Sequence, residues 1–176
     1  MATAEAAGGA RIPLQSLTPE GFAPFGEVVR AGFGTGQEAN LGTAVRYDWL
    51  AALESTRAGA RPNLAIFRIQ PQALPFRVTL LERHPNSTQL FAALHAARWL
   101  VIVAPDAPGG DADTDGLRAF VAGPGDAFNF RRGVWHHPII ALDEPADLLM
   151  LAWEDGGSGD CEERALAVPL IVEGRP

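Results

Sequence analysis

Lysine is absent from this chain, so all 14 basic side chains are arginine. That excludes a Schiff base on lysine and the lysine linkage of pyridoxal phosphate. An anionic ligand must therefore be held by Arg, His or backbone N–H groups. Cysteine is nearly absent too. Cys161 stands alone, an intrachain disulfide is impossible, and the chain reads as cytoplasmic. Positive charge is in deficit, with a net charge of -7 and a pI near 5.0, which argues against a nucleic-acid partner. Long apolar runs are missing as well. The longest, Phe91 to Ala104, is interrupted by His95 and Arg98 and is too short and polar to cross a bilayer, so no membrane partner is expected. Residues 1–13 lack the basic and apolar regions of a secretory signal. Gly156-Gly157-Ser158-Gly159 precedes no clear helix, so it is not read as a phosphate loop, and no nucleotide cofactor is expected. The acidic stretch Asp106–Asp115 lacks the spacing and terminal Glu of a calcium-binding EF-hand.

What is present describes one soluble globular domain. The 176 residues are 47% hydrophobic and 20% charged. Residues 1–13 read as a disordered N-terminal tail and 14–176 as a single domain with no linker. Thr18-Pro19-Glu20 has the form of an N-cap followed by Pro in the first turn, which predicts a short N-terminal helix over 19–24. The Gly-rich residues 32–42 read as a loop. Residues 48–56 are compatible with either a helical or a strand segment. From Asn63 onward apolar or alternating runs predict strands centred on 64–70, 75–84, 88–95, 98–104, 118–122, 127–131, 134–142, 147–153 and 166–172. Short strands at this spacing, separated by Pro/Gly/Asp turns, predict an all-β sandwich or closed barrel.

Two segments concentrate the chemistry. In Phe76–His84, strand alternation puts Phe76, Val78 and Leu80 on one face, and Glu82 and His84 continue that parity. A carboxylate and an imidazole then enter the barrel side by side, at a cost unless paired, hydrogen-bonded or metal-bound. The alternative is a Glu–His pair tying a strand end to a loop. Gln89 follows on the next strand, either as a ligand or as a hydrogen-bond bridge. In the second segment, Asn129 to Pro138, the parity of Val134 favours His136 inside, with Trp135 and His137 on the other face. Asn40, Thr43 and Arg46 follow the Gly-rich loop, which either closes over an anion or lies on the surface. His95 reads as a surface residue.

Together, Glu82-Arg83-His84-Pro85 with Gln89, and Arg132-Gly133-Val134-Trp135-His136-His137-Pro138, resemble the ureidoglycolate lyase family. Asn40 to Tyr47, Leu117 to Phe120, Asn129 and Asp147 to Leu149 extend the resemblance over roughly 14–165. It implies a cupin-type double-stranded β-helix, a jelly-roll barrel, usually dimeric. It also implies cleavage of ureidoglycolate to glyoxylate and urea in allantoin and purine catabolism, with a divalent metal, nickel, associated with family members. The chain departs from the family at Phe130-Arg131, where Tyr-His is usual, at Ala93 and Ala96, where Pro and Gly are usual, and at Ala152-Trp153, where Asp-Arg is usual.

That reaction needs a base for the carbinol proton, an acid or a metal to help urea leave, and a cation for the carboxylate. Glu82 or His136 would serve as base if its pKa moved toward neutrality. His84 would be the acid or a metal ligand. Arg46 is the expected carboxylate clamp, ahead of Arg83, with Asn40, Thr43, Gln89 and Asn129 as further substrate contacts. A metal would take His84, Gln89 and His136, with Glu82, as a mixed N/O ligand set. The rival readings are another metal-dependent cupin enzyme and a small-molecule-binding cupin acting on a different small hydroxy acid or ureido compound.

Overall fold

The computed structural model of the chain describes residues 9–174. Its strands are β1 (Arg11–Ser16), β2 (Gly26–Val29), β3 (Gly36–Ala39), β4 (Ala44–Tyr47), β5 (Arg61–Ile69), β6 (Phe76–Arg83) and β7 (Gln89–His95). They continue with β8 (Trp99–Ala104), β9 (Arg118–Ala122), β10 (Ala127–Phe130), β11 (Trp135–His136), β12 (Ile140–Ala141), β13 (Ala146–Glu154) and β14 (Glu162–Glu173). One helical turn, α1 (Pro19–Phe22), follows β1, and its first turn is capped by Thr18, whose side chain accepts from the Gly21 N–H. A 3-10 turn at Asn40–Gly42 joins β3 to β4.

One sheet runs β11-β6-β14-β1-β9-β8 and closes because β11 also pairs with β8; β12 adds to the far side of β8. The second sheet runs β2-β10-β7-β13-β5. Strand pairing is antiparallel except where β1 lies parallel to both β14 and β9. The result is the cupin-type jelly-roll barrel that the resemblance implies.

β8 shows how the core is divided. Every residue of Trp-Leu-Val-Ile-Val-Ala is buried. Trp99, Val101 and Val103 join Phe22, Phe91, Phe120, Phe128, Phe130 and Leu148 in one cluster. Leu100, Ile102 and Ala104 join Val78, Leu81, Ala119 and Trp135 in the other. A strand buried on both faces reads as a continuous apolar run, as this one does.

Several elements differ from the expectations. Residues 11–13 are not tail: they pair with Ile171, Val172 and Glu173 in the closed sheet, while residues 1–8 lie outside the described residues. Strands β2, β3 and β4 were not predicted, being short and rich in Gly or charge. Residues 48–54 form no regular element, and Ser55 makes a single bridge to Ser87. The run over 134–142 is split by Pro138, which has no N–H to donate. β14 starts at Glu162 because its exposed first half pairs with β6 without an apolar pattern. The alternation of β6 is also broken. Val78 and Leu81, three residues apart, share one core cluster, so Glu82 and His84 do not share a face with Phe76 and Val78.

Phe128 contacts Phe22, Phe91, Trp99 and Phe130 with ring centroids 4.8–5.8 Å apart and is fully buried. Phe128→Ala should destabilise the fold by about 3–5 kcal/mol, read as a lower midpoint in urea unfolding.

Candidate active site

The two-residue strand β11 positions the centre of the site. His136 is registered against Glu82 of β6 on one side and Val103 of β8 on the other. Its ring, only 2% exposed, stacks on Phe130 at a centroid distance of 4.2 Å. Trp135 points the opposite way, into the second core cluster, where the Arg83 guanidinium lies over its ring at 4.4 Å. His137 packs edge-on against Phe76. His136 alone of the pair therefore enters the interior, as the parity of Val134 predicted.

Backbone carbonyls decide the histidine tautomers. His136 Nδ1 lies 2.9 Å from the Val134 carbonyl, and His84 Nδ1 lies 2.6 Å from the Asp160 carbonyl. A carbonyl can only accept, so each Nδ1 carries the hydrogen and each neutral ring presents a lone pair at Nε2. Both Nε2 atoms are buried and have no hydrogen-bond partner among the described residues. The rings sit 5.5 Å apart, and His136 Nε2 is 3.5 Å from Glu82 Oε1, an ion-pair distance without hydrogen-bond geometry. Glu82, His84 and His136 can offer ligand atoms all within 4.8 Å of one another.

Electrostatics suit these groups to a cation. Burial pushes the Glu82 carboxyl up, but His136, His84 and His137 together outweigh it and hold the group below its usual range. Burial, reinforced by His136, pushes His84 down, and burial does the same to His137. At neutral pH the site thus holds an ionised carboxylate beside a neutral, unpartnered His84. Two imidazole lone pairs and a carboxylate fit a divalent ion, since metal ligands must be deprotonated. For Glu82 the downward direction is opposite to the shift toward neutrality expected of a base.

A cavity of about 130 Å³ opens beside this cluster, with Arg57, His84, Gln89, Trp153, Asp160 and Cys161 on its wall. Gln89 is buried there, and its Oε1 lacks a partner. Cys161 also approaches Glu82 and Glu163, but burial and then Glu82 raise its thiol, which keeps it protonated and weakly nucleophilic.

Glu82, His84 and His136 are thus brought together, Gln89 shares the cavity wall with His84, and the other expected contacts lie elsewhere. Asn40, Thr43 and Arg46 lie on the β3–β4 hairpin, where Arg46 pairs with Asp48 at 2.9 Å and Thr43 bonds the Asn40 carbonyl. Asn129 alternates with Phe128 and Phe130, so it faces away from His136. Its amide nitrogen donates to Glu27 and to the Ala52 carbonyl, under the 48–54 segment. Arg83 ties β6 to Glu162. Sequence reading missed Arg57 and Asp160. The only local signal was Asp160 beside the single cysteine.

His84 and His137 both resist protonation in the fold, while their unfolded values lie near 6.5. Below that pH the unfolded chain binds protons that the native state refuses, so stability falls as pH drops. In chelator-treated protein the Tm should decline from pH 7 to pH 5, and His84→Asn should flatten part of that decline. A Tm independent of pH across this window would contradict the assignment.

Comparison with known proteins identifies the family. The ureidoglycolate lyase family model matches residues 9–173. A ureidoglycolate lyase of Burkholderia mallei is 41% identical over 148 residues, covering 84% of each chain. Those of Burkholderia cepacia and Rhizobium etli are 37% and 35% identical, covering 94% and 92% of this chain and 92% and 95% of their own. Among solved structures, a dTDP sugar isomerase of Desulfovibrio desulfuricans aligns over 82% of this chain and 87% of its own with a TM-score of 0.48 and 18% identity. The chain belongs to the ureidoglycolate lyase family.

Proposed function

We propose that the protein cleaves ureidoglycolate to glyoxylate and urea, as a carbon–nitrogen lyase of allantoin and purine breakdown. Family membership supports the reaction. The observation that carries the site is the pair of buried, unpartnered Nε2 atoms beside an ionised Glu82.

In this reading Glu82, His84 and His136 hold a divalent ion, with Gln89 Oε1 as a further oxygen donor. Such an ion would supply Lewis acidity at the carbinol oxygen and lower the cost of removing its proton. The chain's own contribution is orientation. The Val134 and Asp160 carbonyls lock the two tautomers, and Phe130 holds the His136 ring plane. The same Nε2 lone pairs are the proton acceptors if side chains alone do the work, and chelation separates the two cases. Self-association as a homodimer is part of the proposal. The exposed Leu64, Ile66 and Phe67 on the edge strand β5 support it. So is a cytoplasmic location. No helix among the described residues is long and apolar enough to cross a membrane.

Purified protein should release urea and glyoxylate in equal amounts from racemic ureidoglycolate. EDTA should abolish this and added nickel restore it. His136→Ala should lower kcat/KM by about 10²- to 10⁴-fold and lose bound metal in elemental analysis. Absence of both products from well-folded, metal-supplied protein would overturn the proposal.

A further inference from the structure

The proposed substrate carries a carboxylate, and the cation expected to hold it, Arg46, lies on the exposed hairpin. The cavity beside His84 has its own guanidinium. We infer that Arg57 is the carboxylate-binding residue of this cavity, that its ligands are small 2-hydroxy or 2-oxo acids, and that Asp155 occupies its guanidinium until such an anion enters.

Backbone pairing delivers Arg57 to that wall. The segment 54–57 is laced to 86–88: Thr88 N donates to the Glu54 carbonyl at 3.0 Å, Glu54 N to Thr88 Oγ1 at 3.0 Å, and Thr56 N to the Asn86 carbonyl at 2.9 Å. Residues 86–88 lie between His84 and Gln89, so this lacing sets Arg57 beside both. Its side chain is 15% exposed, and it is the one arginine on the cavity wall among the described residues.

The contacts Arg57 makes are exchangeable. Asp155 pairs with Nη2, and Asp160 stands 3.8 Å from Nη1. A guanidinium has five N–H donors, which leaves capacity for a bidentate carboxylate. Asp155 is a third exposed and also accepts from Gly157 N at 2.9 Å, so it keeps a partner and water if it leaves Arg57. Asp160 already accepts from Asn86 N through Oδ1. The same wall includes Trp153, whose buried indole N–H has no acceptor among the described residues. An unmet donor of that kind is costly in a finished core, and an anion bound at this wall would give it a partner.

The inference rests on the lyase reading only in taking the substrate to be a carboxylate, and two ligands separate the claims. Calorimetry with glycolate, a two-carbon hydroxy acid that cannot be cleaved, should show binding to the wild type, with glycolamide, its uncharged counterpart, binding far more weakly. Arg57→Gln should weaken glycolate about 10- to 100-fold and raise the KM for ureidoglycolate similarly, with the larger part of the loss in KM. Arg57→Lys should fall between, keeping charge but losing the fork. Asp155→Asn should tighten glycolate and lower KM, which a merely structural Arg57–Asp155 tie would not do. Unchanged glycolate binding and KM in a folded Arg57→Gln protein that still releases urea would overturn the role of Arg57 and leave the lyase reading intact. Glycolate binding that depends on Arg57, without urea release from the wild type, would do the reverse. Unchanged or weaker glycolate binding in Asp155→Asn would remove the competition by Asp155.

Discussion

The double pairing of β11 is the constraint on which the site depends. Two residues close the barrel by bonding to β6 and β8 at once. That closure leaves no freedom in where Trp135 and His136 point. Trp135 is driven into one core cluster and His136 into the interior opposite Glu82. An imidazole placed there meets Phe130 on its face and the Val134 carbonyl at Nδ1. The ladder thus sets rotamer, tautomer and lone-pair direction together, which is the preorganisation a metal ligand needs.

Asp160 extends the same logic to the cavity mouth. Its carbonyl fixes the tautomer of His84, its Oδ1 accepts from Asn86, and its Oδ2 faces Arg57. One buried residue on the loop after β13 therefore holds the site histidine, the turn behind it and the cavity's guanidinium in register. Buried polar groups in such a network have to be satisfied, and these largely are. Among the described residues His84, Gln89, His136 and Trp153 retain a buried polar atom without a partner around the site, and Asn129 Oδ1 does so on the face turned away from His136.

Much of the fold was legible because burial leaves a local trace. The fully apolar Trp99–Ala104, the alternating 147–153 and the Thr18-Pro19-Glu20 cap each carry their structure in adjacent residues. β1 and β2 do not, since they are held by long-range pairing with partners such as Ile171 and Phe128, and β3 and β4 pair only with each other as an exposed hairpin without an apolar pattern. The β6 strand shows a subtler failure. Strict alternation from Phe76 leads to Glu82 and His84 lying together, which is correct, but by a route through Val78 and Leu80 that the broken parity at Leu81 invalidates. Asn129 failed for the opposite reason: it sits in a matching motif, yet its strand turns it away from His136.

Composition alone determined that lysine chemistry and an intrachain disulfide were closed to this chain, and local pattern that it would be an all-β sandwich or barrel with Glu82, His84 and His136 at strand ends. Those conclusions depend on which side chains exist and on a period of two. Tertiary structure decided which groups meet. The pairing of His136 with Glu82 and the lock on His84 by the Asp160 carbonyl join residues far apart in the chain. So does the delivery of Arg57, rather than Arg46, to the cavity. No local pattern encodes such contacts, because they arise from the closure of the sheet and from backbone hydrogen bonds that any residue type can make.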